Sequence, residues 1–144
     1  EGGAAENCFI EKLRYATSQQ QHVTFLIEPL NHYDAPGYFL SSTDQARRII
    51  EAVAAPNLKL MFDCYHIQIL EGDLTRRLQA NIDIIGHIQF AGVPLRGRPD
   101  HGEINYQHIF KQIADMGYSA PLGAEYKPEN GDTDSSLGWK NKLI

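Results

Sequence analysis

Four short β-prone runs in this chain each close on a polar side chain, at Glu28, Asp63, Gln89 and Glu125. The intervals are 35, 26 and 36 residues, the length of one strand and one helix each time. A fold built this way is nearly dictated. Strands that alternate with helices connect through right-handed crossovers into a parallel sheet, and the polar residues collect where the strands end.

The stretches between these runs read as helices. Phe9, Ile10, Leu13 and Ala16 recur at helical spacing before a polar break at Ser18 to Gln21. His22 to Glu28 is then the first strand, closed by Pro29. After a loop from Asn31 to Leu40, Ser42 and Gln45 have capping-box spacing, Ala46, Ile49, Ile50 and Val53 form an apolar stripe, and Pro56 stops the helix. Leu58 to Asp63 is the second strand. A loop carrying His66 follows, then a helix for which Asp73 is the expected cap, with Leu74, Leu78 and Ile82 on one face. Ile84 to Ala91 is the third strand, and the Gly, Pro, Arg and Asp content of Gly92 to Glu103 marks a long loop. Asn105 caps the next helix, whose stripe is Ile109, Phe110, Ile113 and Met116, and Gly117 is its C′ glycine. Leu122 to Tyr126 is the fourth strand, before a last amphipathic segment from Ser135 that carries Leu137, Trp139 and Leu143.

An open doubly wound sheet satisfies the same alternation. A barrel is favoured because every strand ends on a polar residue and no Gly-x-Gly-x-x-Gly phosphate loop follows one. A closed eight-unit (β/α) barrel typically needs about 250 residues. The 144 residues here suit about half of one, so 1–144 is expected to be a single piece of one domain.

Three carboxylates and one amide oxygen form a hard oxygen cluster, suited to Mg²⁺ or Mn²⁺ and not to a soft thiolate-loving metal. Without a cation the carboxylates would repel and at least one would hold a proton. Any one of them alone is as readily a solvated rim residue; the joint pattern is the signal. His66 lies three residues past Asp63, placed either to bond a substrate oxygen or to remain a loop histidine. Arg96 and Arg98 lie in the loop after Gln89, where a guanidinium can grip a carboxylate bidentately or stay solvated. His32, Asp34, Asp100 and His101 rank below His66 and Arg96. Trp139 and the Tyr residues are expected to pack core or rim, not to stack on a ligand, and Cys64 to pack the barrel wall.

Charge and cysteine usage remove other classes. Thirteen Lys and Arg against 18 Asp and Glu give a formal charge of −5, and no basic cluster stands out, which argues against nucleic acid or an acidic membrane as partner. No window is apolar for long enough to span a bilayer. Cys8 and Cys64 have neither metal-ligand spacing nor a framework to join, so reduced thiols and a cytoplasmic location are expected.

The motifs in order are Phe25-Leu26-Ile27-Glu28-Pro29-Leu30-Asn31, Pro36-Gly37-Tyr38-Phe39-Leu40, Asp63-x-x-His66-x-Gln68 and Glu71-Gly72-Asp73-Leu74-Thr75. They continue with Gly86-His87-Ile88-Gln89-Phe90-Ala91, Pro94-x-Arg96-Gly97, Gly102-Glu103-Ile104-Asn105-Tyr106, Gly117-Tyr118 and Gly123-x-Glu125-Tyr126-Lys127-Pro128. Over nearly the whole chain they resemble the hydroxypyruvate isomerase family, within the xylose isomerase-like superfamily of metal-dependent TIM barrels. The resemblance implies that the four units are the fifth to eighth of a (β/α)8 barrel, its C-terminal half. It implies that Glu28 and Glu125 are an acid–base pair, that Glu28, Asp63, Gln89 and Glu125 ligate a divalent cation, and that His66 and Arg96 contact substrate. The implied reaction interconverts hydroxypyruvate, a small hydroxy-keto acid, and tartronate semialdehyde through an enediol.

Two departures stand out. Arg98 stands where many relatives have an acidic residue, and the units for strands one to four lie outside this sequence, so self-association or a missing N-terminal half is expected. A ketose 3-epimerase would use the same scaffold, with His usual at the position of Gln89. An abasic-site endonuclease would need more converging histidines and a basic face. A truncated, non-catalytic form would keep the site without its wall.

Overall fold

The computed structural model describes residues 3–143. Helix α1 (Gly3–Gln19) leads into strand β1 (Phe25–Ile27), followed by α2 (Thr43–Val53), β2 (Leu58–Asp63), α3 (Cys64–Leu70), α4 (Leu74–Asn81), β3 (Ile85–Phe90), α5 (Tyr106–Asp115) and β4 (Leu122–Ala124). The chain closes with a 3-10 turn at Glu129–Gly131, α6 (Thr133–Ser136), a second 3-10 turn at Leu137–Trp139 and α7 (Lys140–Leu143). The sheet runs β1-β2-β3-β4 and every pairing is parallel. This is the expected alternation, in sequence order.

Side chains alternate across each strand. On β2, Leu58, Leu60 and Phe62 are buried in the core that the helices cover, with Ile49, Leu78, Ile88, Ile109 and Ile113. Each such side chain stabilises the fold by roughly 1.5–3 kcal/mol on full burial. The other face carries Lys59, Met61 and Asp63 on β2 and His87 and Gln89 on β3, which are paired Met61 to His87 and Asp63 to Gln89. A register shift between Leu60 and Met61 sets this pairing, because it makes room for Gly86 as an extra residue on β3. Gly86 has no alternative: a Cβ there would lie 2.6 Å from both Leu26 Cδ2 and Lys59 Cβ.

The helix ends explain most boundaries. Ser42 caps α2 by accepting from Gln45 N, while Gln45 Oε1 accepts from Ser41 N, so the reciprocal bond reaches one residue further back than a standard capping box. Ala54, at φ 56°, ends α2 before Pro56 is reached. On α5, Asn105 caps from its side chain, and Gly117 N bonds Ala114 O while Tyr118 N bonds Ile113 O, the two bonds of a Schellman stop.

Several expectations need correcting. Strand β1 begins at Phe25 because His22 and Val23 are spent on a turn, and Glu28 and Glu125 sit one residue beyond their strands. His66 is not in a loop: it lies in the first turn of α3, a helix whose seven residues are too few for a periodic stripe to show. Asp73 precedes α4 in the left-handed region and makes no capping bond; its carboxylate meets Arg76 instead. The terminal amphipathic segment is broken into short helices, with Trp139 edge-on against Phe90 at 5.6 Å.

Candidate active site at the strand ends

Asp63 uses its two oxygens differently. It is fully buried at the β2–α3 junction, where Oδ1 accepts from Tyr65 N at 2.9 Å and caps the helix. Among the described residues Oδ2 has no hydrogen-bond partner. That capped start places His66 in the first helical turn, with Nε2 3.8 Å from Asp63 Oδ2 and 3.9 Å from Glu28 Oε1. Glu28 Oε1 and Gln89 Oε1 are likewise buried without partners. Unpaired buried acceptors are costly.

Glu28, Asp63 and His66 each bring a potential ligand atom within 4.8 Å of the others, and Gln89 is the β-sheet partner of Asp63. The orphaned oxygens of Glu28, Asp63 and Gln89 therefore fit a hard divalent cation, which prefers oxygen donors and would neutralise their charge. Burial pushes the Glu28 carboxyl up to about 7, with the Asp63 and Glu125 carboxylates adding to the rise and Arg96 opposing it. Asp63 is raised to about 6, again mainly by burial, while the Tyr65 N–H and Arg96 pull the other way. Protonation of a crowded carboxylate without a cation is the behaviour expected of such a cluster.

Arg96 crosses the mouth of this cluster. It sits at φ 55° in a tight loop clasped by mutual Gly92 and Gly97 backbone bonds. Its Nη2 donates to Glu125 Oε2 at 2.7 Å and stands 3.5 Å from Asp63 Oδ2, while Nη1 lies 3.6 Å from Asp34 Oδ2. The guanidinium lies over the Tyr65 ring at 5.1 Å, a cation–π contact. Burial pulls the His66 imidazole down to about 4, with Arg96 adding to the fall.

Glu28, Asp63, Gln89, His66, Arg96 and Glu125 thus share one end of the sheet, but Glu125 differs from the rest. Its side chain is half exposed and held by Arg96. Of the lower-ranked residues, Asp34 joins the site through Arg96, whereas His32 packs against Tyr33. Arg98, Asp100 and His101 form a separate cluster that Lys142 closes, with its Nζ 2.7 Å from Asp100. Asn31 and Tyr65 were not singled out from the sequence. Asn31 is fully buried and bonds the His66 ring, and its position just after Pro29-Leu30, at the head of a turn, was the available signal.

Residues 2–143 match the sequence model of a family described as Xylose isomerase-like TIM barrel. A 2-oxo-tetronate isomerase of Cupriavidus necator is 48% identical over 133 residues, covering 91% of this chain and 51% of that protein. Hydroxypyruvate isomerase of Escherichia coli is 44% identical over 132 residues, covering 90% and 51% respectively. A solved structure described as an AP endonuclease, family 2, from Brucella melitensis superposes with a TM-score of 0.92 at 39% identity, over 99% of this chain and 55% of that one. The chain spans about half the length of the curated relatives it matches.

Proposed function

Because the chain belongs to the xylose isomerase-like TIM barrel family, we propose that its protein is an isomerase of short hydroxy-keto acids, interconverting hydroxypyruvate and tartronate semialdehyde. The observation that carries this reading is the trio of orphaned buried oxygens on Glu28, Asp63 and Gln89, at one end of the sheet with Arg96 and Glu125.

Glu28, Asp63 and Gln89, with Glu125 once it leaves Arg96, would hold Mg²⁺ or Mn²⁺. When bound, that ion supplies Lewis-acid stabilisation of negative charge on the substrate's neighbouring oxygens. Glu28 and Glu125 are the acid–base pair: one removes the C3 proton of hydroxypyruvate, the C2 oxygen takes up a proton to complete the enediol, and the other delivers a proton to C2 as the C3 hydroxyl gives up its own and becomes the aldehyde oxygen. Arg96 binds the substrate carboxylate, and Tyr65 beneath it keeps the guanidinium flat and in place. His66 meets a substrate oxygen. In this reading residues 1–144 are the last four units of a single barrel domain in the cytoplasm. The free edges of β1 and β4 pair with the first four units or with a second copy.

A second reading is favoured by the 48% identical relative named 2-oxo-tetronate isomerase. Its substrate is one carbon longer, and the same proton transfer serves both acids. A coupled assay of hydroxypyruvate and 2-oxo-tetronate consumption, with and without EDTA, tests the reading. Turnover of one acid, lost with EDTA and lost again in Glu28→Gln and Glu125→Gln variants of retained fold, is the expected result. Turnover unaffected by both substitutions removes the acid–base assignment, and absence of turnover in a protein completed with its first four units removes the activity. Sedimentation tests the pairing: a monodisperse, cooperatively melting monomer of this chain speaks against it.

A further inference from the structure

His66 Nδ1 receives two N–H donors from one residue. The backbone N of Asn31 donates to it at 3.1 Å, and Asn31 Nδ2 stands 2.8 Å away. The amide orientation is fixed independently, because Asn31 Oδ1 accepts from the backbone N of Tyr33 and of Asp34, each at 3.0 Å, and Nδ2 faces Asp34 Oδ2 at 3.3 Å. Reversing the amide would oppose a carbonyl oxygen to a carboxylate and two N–H groups to N–H donors. The backbone donor cannot reverse at all. A ring nitrogen that accepts two such bonds carries no proton, so the proton of the neutral ring is on Nε2.

Nε2 is the nitrogen that faces the strand ends. Its distances of 3.9 Å to Glu28 Oε1 and 3.8 Å to Asp63 Oδ2 are too long for hydrogen bonds, and it makes none among the described residues. An N–H cannot ligate a metal ion, so His66 does not share the ligand role its position beside two carboxylates suggests. We propose that Asn31 is a positioning residue that locks His66 as the Nε2–H tautomer, so that His66 offers the site a hydrogen-bond donor for a carbonyl or hydroxyl oxygen of the substrate, not a lone pair for a metal. This rests on the isomerase reading for the identity of the substrate, but not for the tautomer. A fully buried Asn31 is what such a lock needs, since solvent would otherwise compete for both donors.

The test is ¹⁵N NMR of the histidine rings in the protein, with His66 assigned from a His66→Gln variant. The expected spectrum has a pyridine-type Nδ1 and a pyrrole-type Nε2, unchanged on saturation with Mg²⁺. A pyrrole-type Nδ1, or loss of the Nε2–H signal on adding Mg²⁺, overturns the proposal, and neither measurement needs a variant of Asn31. In Asn31→Asp a carboxylate oxygen replaces the Nδ2 donor while the backbone N–H remains, so Nδ1 becomes contested, a fraction of the Nδ1–H form should appear beside the Nε2–H form, and kcat should fall by roughly tenfold, with KM changed much less. Unchanged tautomer and kcat in a folded Asn31→Asp variant also overturn it. If the wild-type tautomer is as expected but neither keto acid is consumed, the lock stands and the isomerase reading fails.

Discussion

Arg96 Nη2 donates to Glu125 Oε2 at 2.7 Å, so one of the two proposed acid–base carboxylates is bound to the residue proposed to grip the substrate. The same guanidinium lowers the pKa of Glu28 and of Asp63, which means that it favours their charged forms as a cation would. A divalent ion held as proposed would therefore compete with Arg96 for the same carboxylates. Replacing Arg96 with Gln frees Glu125 and removes a positive charge from beside the ligands. Affinity for Mn²⁺, read by titration calorimetry, should rise by roughly tenfold, about 1.4 kcal/mol, while kcat/KM for the keto acid falls by more than that. Weaker Mn²⁺ binding in the variant would show that Arg96 organises the ligands and does not compete for them.

The raised carboxyls tie metal-free stability to pH. Glu28 rises from 4.5 to about 7 and Asp63 from 3.8 to about 6 on folding, so the native state binds more protons than the unfolded chain between those limits. Their stabilising contribution is fully present below the unfolded values and is lost as pH rises through about 6 and then about 7. Scanning calorimetry in EDTA should therefore show Tm falling between pH 5 and pH 8 more steeply for the wild type than for Glu28→Gln. Stabilisation by Mg²⁺ should be larger at pH 8 than at pH 5, because protons no longer compete for the ligands. Equal slopes for the two proteins would mean that Glu28 is not the titrating group.

The loop that presents Arg96 depends on a close backbone approach at Gly92. A Cβ there would lie 2.5 Å from Arg98 O and 2.6 Å from His101 O, and both are main-chain atoms that cannot rotate away. Gly92→Ala must open the clasp between Gly92 and Gly97, whose two bonds are 2.8 and 3.2 Å long. KM for the keto acid should rise by roughly tenfold through loss of the Arg96 contact, with divalent-ion binding by Glu28, Asp63 and Gln89 retained. Steady-state kinetics and calorimetry on the same preparation separate the two effects.

The strand ends were legible because they combine two independent signals, a β-prone run and a polar terminus, at one-unit spacing. The Ser42 and Asn105 caps and the Gly117 stop followed from local chemistry alone. What escaped depends on contacts across the sequence. Helix α3 was hidden because its residues, Cys64 to Ile67, are buried around much of the helix, which erases the polar face that periodicity needs. Asp73 has the right side chain for a cap but a left-handed backbone, as has the preceding Gly72 at φ 66°. Asn31 bonds a ring 35 residues away, and no local pattern encodes that distance.

Asp63 divides its labour between fold and site, and two substitutions should pull these apart. Its Oδ1 caps α3 through Tyr65 N at 2.9 Å, while Oδ2 is buried without a partner 3.5 Å from Arg96 and 3.8 Å from His66. Asp63→Asn keeps a capping oxygen and removes a charge that burial disfavours, so the metal-free protein should melt at a higher temperature than the wild type at pH 8. Asp63→Ala removes the cap as well, which costs about 1 kcal/mol and leaves the Tyr65 N–H unpaired in a buried place, so its melting temperature should be lower than that of Asp63→Asn. Both variants should lose Mn²⁺ binding, since an amide is a weaker ligand than a carboxylate and alanine offers none. Tight Mn²⁺ binding in Asp63→Asn would place the ion away from Oδ2. A melting temperature in Asp63→Ala above that in Asp63→Asn would show that the capping bond contributes nothing to α3.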